Sequence, residues 1–198
     1  MMEAKGIPSS EITRYGKILD FCWGPVRINK IGTIEQRSAD MNMMHLVIAA
    51  SVLMKYSHRM VQREFIRVMP SETGIEEPFK IEGNVLHVPP HTHVRKKLQY
   101  LSAYRGLSDK SVHHYCSRFL RFAKAHVDER YQRTMDVMKD MLDSRKTVSD
   151  RMIDYVKKKG YDMDRKIPDN VLKEMCFHMS EENDRQLDKA EAMVKSLE

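Results

Sequence analysis

The stretch "MNMMHLVIAASVLM", Met41 to Met54, limits what the chain can fold into more than any other segment. It is apolar on all sides of a helical wheel, and a helix of that kind needs burial all round. It continues without a strong breaker through "MKYSHRMVQREFIRVM" to Pro70. Ser38 and Asp40 are good N-cap types and proline ends helices, so the pattern predicts a central helix from Ser38 or Asp40 to the residue before Pro70. The apolar run is too short to cross a bilayer and carries Asn42, His45 and Ser51. A core helix is therefore the expectation.

The remaining elements follow from punctuation and period. "FCWGPVRINKIGTIE" reads as irregular or short extended structure around Gly24, Pro25 and Gly32, with Trp23 as an anchor. "PSETGIEEP", Pro70 to Pro78, reads as a loop. "FKIEGNVLHV" alternates around Gly83 and Asn84 and predicts a hairpin near 79–88, ended by Pro89 and Pro90. A helix over Thr92 to Tyr104 places Val94, Leu98, Leu101 and Tyr104 at helical spacing and closes at Gly106. Ser108 then opens a long helix reaching Leu142 with a bend. Shorter helices follow, from Thr147 or Ser149 to Lys159 and from Pro168 through Phe177. A last helix from Ser180 carries a narrow stripe of Leu187, Ala190, Met193, Val194 and Leu197 that needs a partner surface.

The expected architecture is mainly α: a helical core domain over 1–145 with one small β-hairpin, and a C-terminal helical extension over 146–198 packing on the core or on a partner. A chain of 198 residues is long enough for one such domain with a full core. Its 41% hydrophobic content and few glycines and prolines exclude collagen-like and wholly disordered classes. Three widely spaced cysteines, Cys22, Cys116 and Cys176, argue against a disulfide framework. The start shows neither a secretory nor a transit pattern, so the expected setting is cytoplasmic or nuclear, with no signal peptide or transmembrane segment. Sixteen methionines suit adaptable packing, and they make the Met-rich and C-terminal helices the expected surfaces of self-association into a homo-oligomer.

Charge is the most informative compositional feature. The net is +6, but residues 91–133 alone hold ten Lys/Arg against three Asp/Glu. On the helix after Ser108, Val112, Tyr115, Cys116, Phe119, Phe122 and Ala123 fall on one side, while Lys110, His114, Ser117, Arg118, Arg121 and Lys124 fall on the other. The preceding helix adds Arg95, Lys96, Lys97 and Arg105. Cations at helical intervals meet successive phosphates, and Tyr100, Tyr104 and Tyr115 are candidates for stacking on bases. The nucleic-acid-binding set read from this pattern is Arg95, Lys96, Lys97, Arg105, Lys110, His114, Arg118, Arg121 and Lys124.

"SAYRGLSDKSVHHYCSRFLRFA" has the outline of two helices joined by a Gly-containing turn. It resembles a fragment of the small helical DNA-gripping domain of tyrosine recombinases. The chain has no recognisable set of the arginines, histidine and tyrosine that strand transfer requires, so neither that family nor its catalytic residues are assigned. His87, His91 and His93, with His113, His114 and Cys116, are possible metal ligands, but no second pair at i and i+4 completes a site. No phosphate-binding Gly-rich loop, HExxH or nucleophile elbow occurs. No metal, cofactor or catalytic residue is assigned. The expected function is non-catalytic binding of nucleic acid, RNA ahead of DNA, through the basic helical face. The alternatives are a matrix-like structural protein, for example a viral one, meeting an acidic membrane surface or a nucleoprotein, and a metal- or thiol-dependent enzyme.

Overall fold

The computed structural model describes residues 26–28, 34–36 and 42–195. The chain divides into two compact units, Met1–Met41 and Asn42–Glu198. In the first, β1 (Val26–Ile28) pairs antiparallel with β2 (Ile34–Gln36), Arg27 opposite Glu35. Short extended structure was the expectation there. The anchoring role expected of Trp23 and the N-caps expected at Ser38 and Asp40 lie outside the described residues.

The second unit is mainly helical and begins with the central helix α1 (Met44–Arg63). It buries His45, Leu46, Ala49, Val52, Leu53, Tyr56, Ser57 and Met60, the i, i+4, i+7 rhythm of a single face. Met44 and Val47 are exposed, so burial on all sides does not hold for its first turns. The helix also ends earlier than expected. Phe65 takes a left-handed φ of 49°, its N–H bonds the Gln62 carbonyl, and the Ile66 N–H bonds the Val61 carbonyl. These are the two bonds of a Schellman stop, which normally uses glycine. "RVM", expected as the end of the helix, and Pro70, expected as its stop, instead form β3 (Arg67–Pro70).

β3 joins a three-stranded sheet in the order β3-β5-β4. β4 (Lys80–Glu82) and β5 (Val85–Val88) form the expected hairpin across Gly83, and β3 lies parallel to β5 with Val68 opposite Leu86. The connecting segment, expected as loop, contains a single helical turn, α2 (Glu72–Glu76), capped by the Ser71 hydroxyl.

Residues 91–105 form α3, in which His91–His93 and Gln99–Arg105 flank a π turn over Val94–Leu98. Gly106, at φ 53°, ends it, and a short 3-10 turn, Gly106–Ser108, leads to α4 (Lys110–Lys124). Asp109 rather than Ser108 caps α4, accepting from the Ser111 and Val112 N–H groups. The helix expected to reach Leu142 breaks: α4 stops at Lys124, a 3-10 stretch covers Glu129–Met135, and α5 spans Asp136–Ser144. α6 (Val148–Lys158) opens on a Thr147–Asp150 capping box and closes at Gly160, as its sequence signals indicate. The two final helices expected on either side of Ser180 are one continuous helix, α7 (Asp169–Lys195).

One core joins α1, α4, the 3-10 stretch and α5 through Leu53, Tyr56, Leu120, Ala123, Met135 and Leu142. A smaller cluster of Met60, Leu86 and Phe122 ties α1 and α4 to the sheet. Phe79 completes it, its ring centroid lying 4.8 Å from that of Phe119 and 5.7 Å from that of Phe122. α7 packs on α1 and α6. Val171 and Met175 are buried, and the Asn183 side chain accepts from the Met44 N–H at 3.2 Å. Of the stripe expected on the tail helix, Leu187 is exposed, and the Ala190, Met193, Val194 and Leu197 side chains lie outside the described residues. No helix among the described residues is long and apolar enough to cross a membrane.

Candidate nucleic-acid interface

α3 is the most exposed helix that carries the basic segment. Of its fifteen residues only Leu98 is buried, with His93, Val94 and Leu101 half-buried beside it. Pro90 starts the helix, its carbonyl accepting from the His93 and Val94 N–H groups, so the chain turns out of the sheet directly into this arm. The π turn adds a residue between Val94 and the regular helix that follows, and Tyr104, placed on the apolar side by regular spacing, faces solvent instead. Tyr104 is 74% exposed and Tyr100 is 59% exposed, with ring centroids 4.6 Å apart. Arg95, Lys96 and Lys97 are exposed and have no ion-pair partner among the described residues.

α4 is divided differently from the simple two-faced wheel. Its apolar side includes Val112, Phe122 and Ala123 as expected, but Leu120 is also buried. Tyr115 packs its ring on Phe79 at 5.2 Å, and burial raises its hydroxyl pKa above the usual value. It is committed to the core, which leaves Tyr100 and Tyr104 as the aromatic rings open to a base.

The cations of α4 do not form one free stripe. His114 Nε2 lies 3.2 Å from the Glu76 carbonyl, and the Arg118 Nε–H donates to the Pro78 carbonyl at 3.3 Å. Both side chains hold the segment between α2 and β4. Lys124 pairs with Asp136 at 3.2 Å, and Arg105 faces Asp109 at 3.7 Å. In the latter pair Arg105 is largely exposed while the Asp109 side chain is mostly buried. Lys110 and Arg121 are exposed, without an ion-pair partner among the described residues. The structure therefore places Arg95, Lys96, Lys97 and Arg105 on one arm, with Arg105 facing Asp109, leaves Lys110 and Arg121 as separate surface charges, and engages His114, Arg118 and Lys124 in the fold.

The histidines of the sequence clusters disperse. His91 and His93 lie on α3, while His87 is buried in β5. His87 Nδ1 is 2.9 Å from the Ser71 hydroxyl, and its Nε2 is 3.5 Å from a Glu82 carboxylate oxygen. The Ser71 oxygen already accepts from the Gly74 N–H at 3.0 Å. The Ser–His–Glu relay thus has a structural role, in which the hydroxyl caps α2 and the imidazole fixes that cap to the hairpin. His113 Nε2 reaches the Leu142 carbonyl at 3.0 Å, tying α4 to α5. Among the described residues no group of three or more His, Cys, Asp or Glu side chains is placed to hold a metal ion. The Cys116 thiol is half-buried and its pKa is raised by burial, whereas Cys176 is exposed.

The chain matches no protein-family model, no curated protein and no solved structure, so its own geometry carries the functional reading.

Proposed function

We propose that the chain is a non-catalytic nucleic-acid-binding protein that grips single-stranded RNA with α3. The observation that carries the reading is the exposed arm itself, where Arg95, Lys96 and Lys97 precede the open Tyr100–Tyr104 pair. Three uncompensated cations attract phosphates and release condensed counterions. Two exposed rings offer π faces on which unstacked bases settle, a preference for single strands over a duplex whose bases are already stacked. Self-association through α7 belongs to the same reading, since Phe177 is 72% exposed and Leu172 and Leu187 are open on that helix.

The test is binding of a generic single-stranded RNA by fluorescence anisotropy across a salt series, with a duplex DNA and vesicles of anionic lipid under matched salt. RNA affinity is expected to fall steeply with salt. Lys96→Glu with Lys97→Glu is expected to weaken it, and Tyr100→Ala with Tyr104→Ala to weaken it while leaving the salt slope unchanged. Salt-independent affinity, or affinity surviving the charge reversal, overturns the proposal. Capture by anionic vesicles at salt where RNA no longer binds replaces RNA with an acidic membrane surface as the partner. Sedimentation equilibrium of Phe177→Ser against the unaltered chain tests the self-association.

A further inference from the structure

α1 has no acidic residue in its first turn, and Met43 at the N-cap supplies no side-chain hydrogen bond. The Met44 N–H is instead taken by the Asn183 side chain at 3.2 Å, and the Leu46 and Val47 N–H groups bond the Met43 carbonyl. Beside that turn lies a cavity of about 400 Å³ whose walls include His45, Arg133, Asp140, Ser144, Arg151 and Lys189, drawn from α1, the 3-10 stretch and α5 to α7. A cavity of this size suits a small organic ligand. His45 is only 5% exposed, and its Nδ1 has no hydrogen-bond partner. A buried polar atom left unmatched costs on the order of 1–3 kcal/mol, and buried groups in native proteins are nearly always satisfied. The cavity contents are the remaining source of a partner.

The charges on the walls specify the ligand. Arg151 is matched by Glu182 at 2.6 Å, and Asp136, also on the wall, is matched by Lys124 at 3.2 Å. Arg133, Lys189 and Asp140 have no ion-pair partner among the described residues. Two free cations therefore face one free carboxylate. Burial, with Arg151 and Lys189 nearby, holds the His45 pKa below its ordinary 6.5, so the ring is a neutral hydrogen-bonding group. A carboxylate has two oxygens to share between the two cations, whereas a phosphate monoester presents three strong acceptor oxygens, enough to engage both cations at once and still meet a further donor.

We propose that this cavity binds a small phosphomonoester, its phosphate between Arg133 and Lys189, its hydroxyl or amino donors against Asp140 and Ser144, and His45 meeting the ligand from within. The site shares no residue with α3 and stands independently of the RNA reading.

The experiment is an NMR titration of the full chain, isotope-labelled at histidine, with ribose 5-phosphate, inorganic phosphate and acetate as probes. Ribose 5-phosphate is expected to move the His45 resonance saturably, with a dissociation constant of about 1 mM or below. Inorganic phosphate should bind more weakly and acetate more weakly still. Arg133→Gln should weaken ribose 5-phosphate about tenfold, Arg133→Lys should retain most of the affinity, and Lys96→Glu with Lys97→Glu should change nothing. A His45 resonance unmoved to about 10 mM overturns the proposal, as does equal binding by Arg133→Gln or by acetate. Movement of His91 and His93 with His45 silent would place the phosphate on α3 and also overturn it.

Discussion

Gly74→Ala is the sharpest test of how the sheet is held, because two physical effects predict opposite signs. Alanine is a better helix former than glycine by about 1 kcal/mol, so local propensity in α2 favours the substitution. The added Cβ would lie 2.2 Å from both the carbonyl carbon and oxygen of Val88, and 2.7 Å from its nitrogen. These are backbone atoms of β5, fixed between β3 and β4, and no side-chain rotation relieves them. Either α2 lifts away or β5 shifts. Overpacking of this kind costs about 1–3 kcal/mol. Lifting α2 also strains the Ser71 N–H bond to the Val88 carbonyl and the Ser71–His87 bond, each contributing about 1 kcal/mol. Steric cost and strained bonds together outweigh the propensity gain and leave a net loss of about 2–4 kcal/mol, a large share of the roughly 5–15 kcal/mol of a typical domain. For a chain of this size that is a fall in Tm of roughly 5–15 °C. The control is Gly83→Ala, where φ is +60° but no atom lies within 4 Å of the new Cβ, so only backbone strain of about 1 kcal/mol applies. Thermal and urea unfolding of both variants by circular dichroism decides the matter. A Gly74→Ala protein as stable as the unaltered chain, or no less stable than Gly83→Ala, would refute the close-approach argument.

Phe65→Gly should raise stability by about 1 kcal/mol in the same unfolding assay, because Phe65 is 88% exposed and holds a left-handed φ that glycine adopts without strain. The Tyr56 hydroxyl donates to Asp128 at 2.6 Å, and that bond is the main reason the Asp128 carboxyl titrates below its ordinary 3.8. Its stabilisation is fully present above that ordinary value and is lost as the pH falls through the lower folded value. Tyr56→Phe should therefore lower the Tm at pH 7 and converge on the unaltered chain in strong acid; a Tm difference that stays constant into strong acid would count against it. If Arg95, Lys96 and Lys97 each meet one phosphate, the logarithm of RNA affinity should fall with the logarithm of salt with a slope of about −2, and reversing Lys96 and Lys97 should flatten it. Brief alkylation followed by peptide mass analysis should modify Cys176 well before Cys116, whose thiol is sheltered and shifted toward its protonated form; equal rates would contradict the packing of α4.

Helix ends show why part of the fold was legible and part was not. α1, α5 and α6 stop in the same way, with a left-handed residue followed by an N–H that reaches back five residues: Ile66 to Val61, Lys146 to Met141 and Tyr161 to Val156. The left-handed positions are Phe65, Arg145 and Gly160. Only glycine announces such a stop in sequence, and only the end of α6 was placed correctly from it. At Phe65 tertiary packing enforces the conformation. Ile66 sits with Val61 in the cluster around Leu86, so the helix must end there for β3 to reach β5. The strand in "RVMP" was hidden for the same reason, since its pairing partner lies beyond α2 and no local period marks a parallel edge strand. The hairpin, by contrast, carried its own turn chemistry in Gly83, and the capping box at Thr147 was equally local.

The candidate site divides along the same line. Charge density over residues 91–133 is a property of the sequence, and it located the basic arm. Which cations stay free is a property of what packs over them, and backbone carbonyls at Glu76 and Pro78 took His114 and Arg118 out of the set. Tyr104 is the decisive case. The 3.6-residue period groups it with Val94, Leu98 and Leu101, but at 100° per residue it sits about 60° from Leu101 and about 120° from Leu98, at the margin of that side, and it faces solvent beside Tyr100. An apparent core aromatic is thus half of an exposed aromatic pair, at the end of the helix that carries Arg95, Lys96 and Lys97. The cavity beside His45 lies beyond any local reading, because its charges come from residues 45, 133, 140, 151 and 189, which only the packing of α7 against α1 and α6 brings together.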